Sequence, residues 1–255
     1  MPKSEQTLEQ HQAPRASSRT KLRNLSNVFI YPCRLAYLII TRRVSIIRLK
    51  NAFTLDIHPY GRLEGNILDV CRCAIEMNGK TYWRMAQVKD AVVIDVGAYI
   101  GDTALFFTHR GARMVYSFEP DHSHYEQAKR NTSGLSNVLL FEYGLDRESK
   151  QSRMSGALMG KSAGGNGGEI IQLRSFNDTI WEIVKKEGRI GFLKMDCEGC
   201  EWNLIPNADS KLFEMIDSVG LEIHDDYKDS LILVSKLEAL GYKVRTKSPW
   251  YFTRN

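Results

Sequence analysis

Between residues 92 and 245 short apolar runs alternate with amphipathic stretches, and this alternation constrains the fold more than any other feature of the 255 residues. The runs at 92–96, 114–119, 138–142, 192–196, 219–224 and 242–245 are rich in β-branched and aromatic residues and predict strands. Helical spacing fits the stretches between them, near 102–109, 122–131, 178–186 and 229–240. Strands that alternate with helices imply an α/β fold: a mainly parallel sheet covered by helices on both faces. Two segments stand apart from the pattern. Residues 67–85 place apolar and aromatic runs on either side of Asn78-Gly79, which predicts a hairpin closed by a tight turn. Residues 147–168 contain six glycines and read as a mobile surface loop.

The strand at 92–96 belongs to the run AVVIDVGAYIGD, residues 91–102, in which Gly97 and Gly101 bracket a turn from strand into helix. Glycine lets a backbone turn sharply and approach a ligand that a Cβ would push away. Ligands of Rossmann-like sheets bind beyond the carboxyl ends of the strands, near the point where strand order reverses. Asp95, Gly97, Ala98, Tyr99, Gly101 and Asp102 are therefore the cofactor-loop candidates. The next strand ends at Glu119, twenty-two residues after Gly97, where a carboxylate can accept hydrogen bonds from both ribose hydroxyls. Glu142, closing the third strand, joins the cofactor set. Two ligands fit so far, a nicotinamide dinucleotide and S-adenosylmethionine. The dinucleotide fingerprint is G-x-G-x-x-G, whereas Tyr99 stands where its second glycine would be. S-adenosylmethionine has no pyrophosphate to seat, so the loop favours the methyl donor.

The fourth strand runs into KMDCEGCE, residues 194–201. Lys194, Asp196, Glu198 and Glu201 crowd charge at a strand end, which is unfavourable unless water, a cation or a substrate reaches it. Asp196 and Glu198 are candidates to orient an acceptor, and His224, at the following strand end, is the candidate base because its ordinary pKa lies near neutrality. A divalent cation on Asp196, Glu198 and His224 is compatible with such a donor set.

With these elements in order, the sequence resembles the FkbM-type methyltransferases. That family pairs D-x-G-A-x-x-G-D with a later K-x-D-x-E-G-x-E and a strand ending E-x-H. Asp95 to Asp102, Lys194 to Glu201, and Glu222-Ile-His224 match these in turn, and Glu119-Pro120 fits as well. The similarity runs from about Ile67 to the end of the chain. It implies a class I methyltransferase fold with a mainly parallel seven-stranded sheet, S-adenosylmethionine as donor, and transfer to oxygen on a glycan, lipid-linked sugar or small metabolite. Tyr99 departs from the family's usual Asn, and Cys197 and Cys200 replace residues that are commonly small and apolar.

Charge separates the N-terminal part from the rest. Residues 1–55 hold 10 Lys/Arg against 2 Asp/Glu, while residues 56–255 hold 25 against 28. A mildly acidic body argues against a nucleic-acid partner, which calls for a basic stripe on the folded domain. The expected organisation is a disordered tail (1–20), a basic amphipathic helical arm (21–55), a hairpin lead-in (56–90) and the methyltransferase domain (91–255). Phe29, Tyr31, Leu35, Leu38 and Ile39, set among arginines, suggest peripheral contact with an anionic membrane. The most apolar stretch, 28–40, is too short to span a bilayer, which needs about 20 residues. An odd count of five cysteines and a polar N-terminus point to free thiols in a cytoplasmic setting, at the inner face of the membrane if the arm binds there. No metal ligand set is assigned; zinc on Cys71, Cys73, Cys197 and Cys200 is disfavoured because Cys71 and Cys73 read as apolar fillers of a strand.

Overall fold

The computed structural model describes residues 34–48, 53–79, 82–155, 162–163, 168–223, 227–246 and 250–254. Its centre is a seven-stranded sheet built from β4 (Val92–Val96), β5 (Met114–Phe118), β6 (Val138–Phe141), β11 (Ile190–Met195), β12 (Ile216–Leu221), β13 (Lys243–Thr246) and β14 (Trp250–Thr253). The order is β13-β14-β12-β11-β4-β5-β6. The chain starts in the middle at β4, builds outward through β5 and β6, then returns to β11 on the other side of β4. Strand order thus reverses between β4 and β11, and a crevice at that switch point is where open α/β sheets hold ligands. Pairing is parallel from β12 through β6, and β14 runs antiparallel to both of its neighbours. β4 and β11 are buried at every residue, as strands covered on both faces must be.

Helices α3 (Asp102–His109), α4 (His122–Thr132), α5 (Phe176–Glu187) and α8 (Tyr227–Ala239) fall where helical spacing predicts them. Two short helices, α6 (Glu201–Asn207) and α7 (Ser210–Glu214), follow β11. Burying a side chain such as Phe106 or Phe107 contributes about 1.5–3 kcal/mol. These two do more than fill space. Trp83 meets Phe106 edge-on at 4.4 Å, Phe106 meets Phe107 at 5.7 Å, and Phe107 meets Phe192 of β11 at 5.6 Å. That chain of rings ties the lead-in segment through α3 to the central strand.

Residues 67–85 do not form a hairpin. They form helix α2 (Ile67–Asn78) and a single 3₁₀ turn, Tyr82–Met85. Asn66 caps the helix by accepting from the Leu68 N–H, and Val70, Cys73, Ala74 and Met77 recur at spacings of three and four on its buried face. Asn78-Gly79 is the helix stop: the Gly79 N–H returns to the Glu76 carbonyl. Cys71 and Cys73 accordingly lie on a helix, not a strand. The hairpin lies just before it, in the antiparallel sheet β1-β2-β3 (Val44–Arg48, Phe53–Ile57, Gly61–Gly65).

The arm expected to be helical throughout is helical at residues 34–40 and turns into β1 at Val44. The tail at 1–20 and the arm up to residue 33, with Phe29 and Tyr31, lie outside the described residues. The glycine-rich stretch is also more ordered than expected at its start. β8 (Lys150–Ser155) pairs with β10 (Glu169–Ser175), and β7 (Gly144–Asp146) and β9 (Ser162–Ala163) complete a second, four-stranded sheet. Met154, Ile171 and Leu173 form its small apolar cluster.

Candidate active site

Asp95, one residue before the end of β4, has no exposed surface. Its Oδ2 accepts from the hydroxyls of Thr103 (2.7 Å) and Ser117 (3.2 Å), one on α3 and one on β5. Its Oδ1 has no well-aligned hydrogen bond and relies on the ion pair with Lys194 Nζ at 3.0 Å. Lys194 also donates to the Gly97 carbonyl at 2.7 Å. Burial alone would strip the proton from this lysine, but Asp95 and Asp196 raise its pKa above the usual lysine range. Asp95 and Lys194 therefore lock the loop from beneath. Asp95 itself has no exposed surface, and Lys194, expected beside an acceptor, places its ammonium on Asp95 and on the Gly97 carbonyl of the loop.

The loop amides are committed in the same way. The N–H groups of Gly97 and Ala98 both donate to the Phe118 carbonyl at 3.0 Å, and that of Gly101 donates to Ala98 at 2.8 Å. A Cβ on Gly97 would lie 1.9 Å from the Asp196 carbonyl oxygen, and one on Gly101 would press on Ala128 and Thr132 of α4. Both glycines have positive φ, and it is the protein's own backbone and helix that need the space, not a ligand. The three engaged amides leave no row of donors here for a pyrophosphate.

Glu119 is different. It is buried just past the end of β5, and its two oxygens accept from the N–H groups of Tyr99 (2.8 Å) and Asp121 (3.0 Å). Each oxygen keeps a second lone pair. Burial outweighs these two hydrogen bonds and pushes the Glu119 pKa up to about 8. A carboxylate short of donors at the switch point suits a ligand bearing two neighbouring hydroxyls.

Tyr99 lends the site its amide while its side chain turns away. Its ring packs on His124 at 4.5 Å and its hydroxyl bonds Asp69 of α2. Asp102 opens α3, buried, with its pKa raised to about 7 by burial and then by Glu76, and it hydrogen-bonds Cys73. Helix α2 thus lies against the cofactor loop through Asp69, Cys73 and Glu76, and Arg72 pairs with Glu76 at 2.9 Å. None of these α2 residues was expected at the site. Asn131 of α4 adds a further tie, donating both to the Ile100 carbonyl of the loop and to Glu64 of β3. Glu142 does not join them: it is an exposed residue paired with His122 Nδ1 at 2.6 Å on the surface.

Beside this loop, Asp196 follows β11 with its N–H on the Val96 carbonyl. The turn beyond it passes through two left-handed residues, Glu198 (φ 55) and Gly199 (φ 111), before α6 begins at Glu201. Wholly buried Glu201 accepts from the Cys197 N–H at 3.2 Å. Cys197 and Cys200 are joined by a disulfide, so two of the five cysteines are not the expected free thiols. His224, the candidate base, lies outside the described residues. Among the described residues no group of three or more His, Cys, Asp or Glu is arranged to hold a metal ion, and a cation site would need His224 to complete it.

A family model described as the methyltransferase FkbM domain matches residues 95–244, from the cofactor loop to β13. Methyltransferase 1 of Beauveria bassiana (strain ARSEF 2860) is 22% identical over 188 residues, covering 63% of this chain and 75% of that protein. Among solved structures, a methyltransferase FkbM from Methylobacillus flagellatus KT superposes with a TM-score of 0.49 at 13% identity, over 91% of this chain and 60% of its own. An S-adenosylmethionine-dependent methyltransferase from Agrobacterium tumefaciens gives 0.46 at 11% identity, over 74% and 59%. This chain spans less than two thirds of the length of either structure.

Proposed function

Because the chain belongs to the FkbM methyltransferase family, we propose that it transfers a methyl group from S-adenosylmethionine to a hydroxyl of a glycan, lipid-linked sugar or small metabolite. The observation that carries the donor reading is Glu119, buried at the switch point with one lone pair open on each oxygen. When bound, the donor supplies a methyl group on a positively charged sulfur. Glu119 holds its ribose, and the locked loop from Gly97 to Gly101 shapes the wall beside it. In-line transfer then depends mainly on positioning and exclusion of water. Asp196 and Glu198 orient the acceptor hydroxyl, and His224 takes the proton from its oxygen.

Calorimetry tests the donor. S-adenosylmethionine and S-adenosylhomocysteine should bind with micromolar affinity while NAD gives no heat, and binding of NAD alone overturns the reading. The runner-up, a nicotinamide-dependent oxidoreductase, is disfavoured by the committed amides of Gly97 and Ala98.

The arm is the part of the protein that would bring the enzyme to a lipid-linked acceptor. Tyr37, Ile40, Ile46 and Ile47 expose apolar surface beside Arg42 and Arg43. No helix among the described residues is long and apolar enough to cross a membrane, so contact would be peripheral. Each arginine or lysine near an anionic bilayer contributes about 1 kcal/mol, screened by salt. The full chain should sediment with phosphatidylserine vesicles and be released by high salt, whereas a chain beginning at Ala52 should not sediment. Equal behaviour of the two assigns the arm another role.

A further inference from the structure

The motif at 194–201 contains a covalent feature that methyl transfer itself does not require. Cys197 and Cys200 sit at the two ends of the turn that carries Glu198, with Cα atoms 5.5 Å apart and their sulfurs bonded. Both residues are partly exposed. Each end is separately anchored. The Cys197 N–H is held by buried Glu201, and the Cys200 carbonyl accepts from Asn203 and Leu204 in the first turn of α6. Between these anchors lie only Glu198 and Gly199, both left-handed, and Glu198 has a Cβ that disfavours that conformation. A disulfide closing so short a loop adds little to global stability, since stabilisation grows with loop length. What it fixes is local, and the residue inside it is Glu198. The other two cysteines among the described residues, Cys71 and Cys73, are poor partners: they lie two apart on α2, and burial pushes the Cys73 thiol well above its usual range.

We propose that Cys197 and Cys200 are a reversible dithiol–disulfide pair whose closed form holds Glu198 in place for the acceptor, an inference that rests on reading 196–201 as the acceptor side. Oxidation proceeds by exchange with a small-molecule disulfide. One cysteine thiolate attacks a sulfur of that disulfide, its S–S bond breaks, and one small thiolate leaves. The second cysteine, deprotonated, attacks the protein sulfur of the mixed disulfide and expels the other small thiolate. Two protein thiols are oxidised, one small disulfide is reduced to two thiols, and the two protons pass to the departing thiolates. A small dithiol or monothiol reverses the sequence.

The test equilibrates the full chain in mixtures of reduced and oxidised glutathione, traps thiols with N-ethylmaleimide, and maps them by peptide mass spectrometry. The 197–200 bridge should open and close in one two-electron transition while Cys71 and Cys73 remain thiols. Amide hydrogen exchange over 196–203 should rise on opening while residues 95–102 stay unchanged, and S-adenosylhomocysteine should bind equally in both states. Methyl transfer to a responsive extract fraction should fall on opening, by up to about a hundredfold if Glu198 shifts by about 1 Å. Cys197→Ser and Cys200→Ser should show the open-state exchange at every glutathione ratio, with Cys71→Ser as the unaffected control. A bridge that never forms, or one that forms without changing exchange over 196–203, overturns the proposal. If S-adenosylhomocysteine binds in neither state the donor reading fails, and the titration and exchange still decide the bridge.

Discussion

The turns after β4 and β11 leave adjacent parallel strands and reach the same crevice, yet they are held in opposite ways. The first, 97–102, is tied down from within: Lys194, Thr103 and Ser117 hold Asp95, and the Phe118 carbonyl and Glu119 take successive amides. The second, 196–201, keeps Asp196 and Glu198 partly exposed and is shaped by a disulfide and one buried carboxylate. A donor that is always the same molecule suits a wall wired into the core. On the proposed reading, the acceptor side is built from half-exposed carboxylates on a covalently pinned turn, which can change without disturbing that wall.

The strongest way to break the comparison is to cut the wiring. Lys194→Met leaves the Asp95 charge buried without its partner, a change that costs about 3–5 kcal/mol. Differential scanning calorimetry should show a large fall in melting temperature and lost donor binding. A near-wild-type melt would mean that the pair does not hold the loop.

Glu119 comes next. Glu119→Ala removes a charged acceptor of ribose hydroxyls and should weaken donor binding by about 1.5–3 kcal/mol. The ionised form is the better acceptor, so wild-type affinity should rise as pH passes through about 8, and Glu119→Gln should flatten that profile. Stability of the free protein moves the other way. Burial raises the folded pKa from 4.5 to about 8, so the folded chain holds this proton more tightly than the unfolded one. That contribution is full below pH 4.5 and is lost as pH rises through about 8. Chemical denaturation of wild type and Glu119→Gln across this window should diverge as pH increases; parallel curves would refute the assignment.

On the acceptor side, Asp196→Asn and Glu198→Gln preserve shape and remove charge. Both should leave S-adenosylhomocysteine affinity intact and slow turnover at least about tenfold, or roughly 1.4 kcal/mol in barrier. Wild-type turnover in both variants would make the cluster structural. The smallest effect belongs to Glu142→Gln. Because Glu142 is exposed and paired with His122, donor affinity should stay within about twofold, far below the roughly tenfold expected of a ligand contact. A tenfold loss would return it to the donor set.

The central sheet was legible because its signal is dense. β4 is apolar except for Asp95, and α3 spans the expected residues from Asp102 to His109. Helix α2 was misread because Asn78-Gly79 serves equally as a tight turn and as a helix stop, and only the spacing of Val70, Cys73, Ala74 and Met77 distinguishes the two. β8 reads KQSRMS and carries one apolar residue, so its strand character comes from pairing with β10 and not from its own composition. The position of Glu119 just past β5 could be found by spacing, but the direction of Lys194 could not. A lysine inside an apolar strand declares its partner only once β11 lies beside β4 with Lys194 opposite Asp95. Ser117 and Thr103 offered a fainter clue, as hydroxyls among buried apolar neighbours that need an acceptor.

The placement of β14 has a consequence for how the protein is made. This strand lies between β12 and β13, and among the described residues β13 pairs in the sheet with β14 alone. A chain still growing on the ribosome can assemble β12, β11, β4, β5 and β6, but that sheet ends at the bare edge of β12 until Trp250 to Thr253 emerge. Until then β12 presents unpaired backbone to any passing strand, the kind of edge that invites association between nascent chains. Arrival of Trp250, Tyr251 and Phe252, all buried in the finished fold, closes that edge and recruits β13 in the same step. Completion of the sheet therefore waits for β14, even though β4, on one side of the crevice, lies more than a hundred residues earlier.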